Sequence, residues 1–125
     1  MKTALELTPQ EWQAYNPIYH DITVDVTNLA KLEKQAKQVA KEIARVLKTQ
    51  FMARRVVLFG SLSHKGWFTA WSDIDLAVWD IAPDDFYRAV ATVTGMSSLF
   101  KVDLVDIKDC RPSLQMVIEK EGFDL

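Results

Sequence analysis

Asp73 and Asp75 stand one residue apart at the head of the run Ile74-Asp75-Leu76-Ala77-Val78-Trp79, and Asp73 lies twelve residues beyond Ser61 of a Gly60-Ser61 pair. Side chains alternate along a strand, so the two aspartates share one face while Ile74, Leu76 and Val78 take the other and can enter a core. Two carboxylates a few ångströms apart repel each other unless a proton or a cation lies between them. Oxygen ligands alone, carried on a strand beside a glycine turn, suit Mg²⁺ bearing a nucleotide phosphate. The chemistry to look for is therefore that of a nucleotide phosphate carried by Mg²⁺.

Such residues need rigid carriers. Arg55 to Gly60, with its apolar Val56-Val57-Leu58-Phe59, reads as one buried strand, and Asp73 to Trp79 as a second. Ser61 to Ser72 is the loop between them. Lys101 to Ile107 alternates and reads as a third strand. A long helix is expected from about Asn28 to about Gln50, because Leu29, Leu32, Ala36, Val39, Ile43, Val46 and Leu47 form an apolar stripe at helical spacing. Pro83-Asp84-Asp85 opens another helix, with proline in the first turn and carboxylates at the positive end of the dipole; Gly95 closes it. Pro112 starts a last helix that Gly122 ends. Near the N-terminus, Thr8-Pro9-Gln10-Glu11 carries a helix start and Asn16-Pro17 a stop. The order helix, strand, strand, helix, strand, helix gives an α+β fold with a small mixed β-sheet.

The composition sets limits. At 125 residues and 49% hydrophobic, the chain fits a single domain over 1–125, with an N-terminal helical segment over about 1–50. A formal net charge of -2 argues against a general nucleic-acid binder. Cys110 is the only cysteine, so neither an internal disulfide nor a cysteine-based zinc site is expected. There is no run of signal-peptide or membrane-spanning length, and a cytoplasmic protein without membrane contact is the expectation.

Asp103, on the third strand, shares a face with Lys101 and Val105. If that strand lies beside the Asp73/Asp75 strand, Asp103 completes a carboxylate triad. Asp106 falls on the opposite face and reads as solvated. With Gly60-Ser61, Ser72-Asp73-Ile74-Asp75-Leu76 and Val102-Asp103-Leu104-Val105 in place, the sequence resembles the DNA polymerase β-type nucleotidyltransferase superfamily, and most of all its minimal nucleotidyltransferases (MNT). The closing Val117-Ile118-Glu119-Lys120-Glu121-Gly122 resembles the family's last helix. The likeness covers roughly Arg55 to Gly122. One departure is the loop between Ser61 and Asp73: its eleven residues are one more than the commonest family spacing, and Gly66 sits one place late. A one-residue surface insertion costs little. It leaves the carboxylates intact and bears on the loop's phosphate contacts.

The resemblance implies the polymerase β-type fold and transfer of AMP from ATP to a hydroxyl. It places Asp73, Asp75 and Asp103 as catalytic and metal residues for two Mg²⁺ ions, and Gly60 and Ser61 at the nucleotide phosphates. It also implies an acceptor site completed by a partner or by a second copy of the chain, because larger relatives carry a separate acceptor domain. Small MNT proteins are often paired with HEPN-domain toxins, which makes a HEPN tyrosine the expected acceptor. The rival expectations are a non-catalytic antitoxin that occludes its HEPN partner and a small-molecule nucleotidyltransferase.

Other residues admit plainer readings. Trp67, Phe68 and Trp71 make the loop aromatic, as a partner-facing or base-stacking patch or as packing against the domain. Lys65 and His64 are candidates for the nucleotide or are loop residues. Ser72 reads as a cap at the start of its strand, His20 as a surface residue, and Cys110 as a small, partly buried one.

Overall fold

The computed structural model describes residues 26–125 apart from Lys65 and Ala70, and for Val26 and Thr27 the backbone alone. The expected short helix at Thr8-Pro9, the stop at Asn16-Pro17, His20 and Lys65 lie outside the described residues. Helix α1 spans Val26–Gln50. Strand β1, Arg55–Phe59, runs into a single 3-10 turn, Gly60–Ser63. Strand β2 (Ile74–Trp79), helix α2 (Pro83–Thr94) and strand β3 (Val102–Asp106) follow. A short 3-10 turn (Ile107–Asp109), helix α3 (Pro112–Glu121) and strand β4 (Phe123–Asp124) complete the order.

The strands form one mixed sheet in the order β3-β2-β1-β4. β1 is antiparallel to both β2 and β4, and β2 is parallel to β3. The expected α+β class with a small mixed sheet is what the chain adopts. β4 was not anticipated. Two residues carry no readable periodicity, and Gly122 looked only like a helix end. The strand is held by Arg55, whose guanidinium donates to Asp124 at 2.6 Å and to Glu119 at 2.9 Å and lies 4.5 Å from the centre of the Trp79 ring. These contacts raise the Arg55 pKa and lower that of Asp124.

Helices cover both faces of the sheet. On one face, Val56, Leu58, Ile74, Leu76, Val78, Val102 and Leu104 pack with α1 and α2. The α1 stripe is tighter than its leucines suggested: Ala36, Ala40, Ile43, Ala44 and Leu47 are the buried positions, while Val46 is half-buried. Small side chains let the helix lie close to the strands. On the other face, Val57 and Ala77 are buried against Ile118 of α3. Gly122 serves that contact, since a Cβ there would collide with the Ile118 carbonyl and the Val57 side chain.

One expectation is corrected. Asp106 is not solvated but buried, at 5% exposure. It follows Val102 and Leu104 on the inward face of β3, and its carboxylate accepts from the Lys108 N–H at 3.1 Å, capping the Ile107–Asp109 turn, with the Lys108 ammonium 3.6 Å away. A buried carboxylate is tolerated where a backbone donor and a cation meet it.

Candidate active site

Alternation along β2 places Ile74, Leu76 and Val78 in the core and turns Asp75, Ala77 and Trp79 to the α3 side. α3 covers only part of that side. Ala77 is buried beneath it, whereas Asp75 is half-buried and Asp103 exposed. The parallel pairing of β2 and β3 sets Asp75 directly beside Asp103. Asp73, immediately before β2, is also close enough to act on Asp75. Burial first, then the charges of Asp103 and Asp73, push the Asp75 carboxyl from 3.8 to about 6, against a smaller downward pull from Lys101. The expected face-sharing of the acidic residues therefore has an electrostatic signature.

The antiparallel pairing of β1 and β2 sets Phe59 opposite Asp75, which brings the following turn over the same carboxylate. Gly60 has φ +75°, a conformation that favours glycine, and a Cβ there would collide with the Asp75 carboxylate. Both requirements select glycine at this position. The Ser63 hydroxyl donates to the Gly60 carbonyl at 2.7 Å and fastens the turn. Ser61 lies within it, and its carbonyl accepts from His64 at 3.2 Å.

The loop that follows divides. Phe68 is buried, with its ring 6.0 Å from that of Phe100, while Trp67 and Trp71 are 64% and 59% exposed. His64 stacks on Trp67 at 4.2 Å and lies 3.5 Å from Glu121, so it joins the turn to the end of α3. The Ser72 hydroxyl accepts from Thr69 N–H at 2.9 Å, closing the loop before Asp73. Cys110 is partly buried; its thiol donates to the Asp106 carbonyl, and burial with the nearby Asp106 and Asp109 raises its pKa. Sequence reasoning gave Lys101 a face but no role; its ammonium lies 3.9 Å from Asp73. The signal was its spacing from Asp103.

Among the described residues, no three His, Cys, Asp or Glu side chains are gathered closely enough to hold a metal ion. The donor set itself suits a hard cation: three carboxylates on one open stretch of sheet, one of them with its pKa raised by burial and by the other two.

The polymerase beta nucleotidyltransferase family matches the chain over residues 41–125. The chain belongs to that family. The match takes in the Gly60 turn and all three carboxylates, and the fold is that of polymerase β-type nucleotidyltransferases. No curated protein matches the chain in sequence. Among solved structures, a protein classed as a minimal nucleotidyltransferase is similar at 27% identity and TM-score 0.54, over 78% of this chain and 95% of that one. A toxin–antitoxin structure with AMP-PNP is similar at 24% identity and TM-score 0.57, over 68% and 70% of the two chains. A complex of tri-AMPylated Shewanella oneidensis HEPN toxin with MNT antitoxin is similar at 20% identity and TM-score 0.54, over 71% and 70%. No helix among the described residues is long and apolar enough to cross a membrane.

Proposed function

We propose that this family member is an MNT antitoxin that transfers AMP from ATP to a tyrosine hydroxyl of a HEPN-domain toxin. The observation that carries the reading is the in-register pair Asp75 and Asp103, with the Gly60 turn laid against the same carboxylate. The solved toxin–antitoxin complexes, one with AMP-PNP and one with an AMPylated toxin, support the choice of nucleotide and acceptor.

Asp73, Asp75 and Asp103 would hold Mg²⁺. When bound there, the ions supply charge neutralisation at the phosphates and lower the pKa of the acceptor hydroxyl. The backbone N–H groups of Gly60 and Ser61 meet the β- and γ-phosphates, with the Ser61 hydroxyl adding a contact; a Cβ at residue 60 would also stand in their way. The tyrosine oxygen attacks the α-phosphorus as the bond to pyrophosphate breaks. Asp103, exposed and beside Asp75, accepts the tyrosine proton. Positioning and charge account for most of the rate.

The test is incubation with α-labelled ATP, Mg²⁺ and the HEPN partner, followed by location of the label. Wild type labels a tyrosine, whereas Asp73→Asn combined with Asp75→Asn folds but labels nothing. Full labelling by that variant refutes the catalytic reading. A second reading, neutralisation by occlusion alone, is favoured by the exposure of Trp67 and Trp71 in the loop leading to the site. It prevails if the double variant neutralises the toxin unlabelled. A small molecule labelled without any partner points instead to a small-molecule nucleotidyltransferase.

A further inference from the structure

The open part of the sheet face carries four charges in two cross-strand rows. Asp75 stands beside Asp103. One step earlier, Lys101 stands beside Asp73: the Ile74 N–H donates to the Lys101 carbonyl at 2.9 Å, and the Lys101 ammonium lies 3.9 Å from an Asp73 carboxylate oxygen. The side chains of this pair are 76% and 37% exposed, so the ammonium rides on a long, solvated stem and is held by charge rather than by packing. Its charge also reaches Asp75. Three acids and one base thus share a surface on which a divalent ion and a triphosphate are to be assembled.

We propose that Lys101 is a tethered counter-cation, occupying Asp73 while the site is without nucleotide and so competing with divalent ions for that carboxylate. This rests on the reading of Asp73, Asp75 and Asp103 as the metal ligands. A metal ion arriving alone must displace the ammonium and accept it as a like-charged neighbour. A metal ion arriving with a triphosphate brings anionic oxygens to which the ammonium can turn. Lys101 thereby favours loading of the metal–nucleotide complex over loading of the bare ion. It is a positioning residue, acting through Asp73.

The test is binding of Mn²⁺ to the full chain without nucleotide, read from the loss of the free-ion electron paramagnetic resonance signal. Lys101→Gln is expected to bind Mn²⁺ about 3- to 10-fold more tightly than wild type, the modest range that an exposed charge contributes. Lys101→Arg, which keeps the charge, is expected to stay near wild type. Added salt is expected to narrow the gap between Lys101→Gln and wild type. Asp75→Asn serves as the control that the ion sits on these carboxylates. If Asp75→Asn weakens binding but Lys101→Gln matches wild type or binds more weakly, the role of Lys101 is overturned and the metal site stands. If neither wild type nor Lys101→Gln binds Mn²⁺, both fall.

Discussion

Replacing Asp75 with asparagine should make the metal-free protein more stable at neutral pH while abolishing the proposed AMP transfer. The folded carboxyl has a pKa of about 6 against 3.8 in an unfolded chain. Below about pH 3.8 the group is protonated in both states and costs nothing. Between that value and about 6 the unfolded carboxyl ionises first, so folding becomes less favourable as pH rises; above about 6 the whole penalty is present. The gap of roughly two pH units corresponds to ~3 kcal/mol, which solvent screening of this half-exposed group reduces to about 1–2 kcal/mol. Asparagine keeps the shape and drops the charge. Urea denaturation of wild type and Asp75→Asn, in chelator, should show a gain of about 1–2 kcal/mol near pH 7.5 that disappears near pH 4. A loss of stability at pH 7.5, or an equal gain at both pH values, refutes the claim that burial and the neighbouring carboxylates raise the Asp75 pKa.

The remaining predictions concern the pieces that frame the carboxylates. Gly60→Ala combines a left-handed backbone with a collision at Asp75 and should cost about 2–4 kcal/mol in thermal unfolding, along with ~10²-fold or more in AMP transfer. Gly122→Ala drives a methyl into Ile118 and Val57 and should cost about 1–3 kcal/mol by denaturant titration, without moving the Asp75 carboxyl pKa followed by NMR. Arg55→Ala removes two ion pairs and the stacking on Trp79; with partners largely exposed it should cost only about 1 kcal/mol, and it should speed hydrogen exchange at the Leu125 amide, which bonds the Val56 carbonyl.

Much of this arrangement was legible in the chain because two simple periods carry it. The alternation of Ile74, Leu76 and Val78 with Asp73 and Asp75 set both the strand and the side on which its acids stand. The stripe through Ala36, Ile43 and Leu47 announced α1, and Pro83 and Pro112 marked the starts of α2 and α3. Reading Asp103 as a neighbour of Asp75 required the assumption that β3 lies beside β2, and the parallel register bears that out. What escaped has no period. β4 exists because Arg55 and its two acids fasten a two-residue segment, a contact across the whole of the sheet-forming region. Asp106 was misread because alternation gives a direction but not a depth: a carboxylate pointing inward is tolerable only with donors supplied by the turn after it. The division of the aromatic loop, Phe68 inward and the two tryptophans outward, depends on Phe100, more than thirty residues away.

The bond from the Ile74 amide to the Lys101 carbonyl fixes where β2 begins relative to β3. That position is set by neighbouring strands and not by the length of the loop leading into it. A one-residue change in that loop's length can be absorbed before the carboxylates are reached. The loop can gain or lose a residue while Asp75 stays beside Asp103. The length of the loop is thus decoupled from the register that sets the two carboxylates side by side.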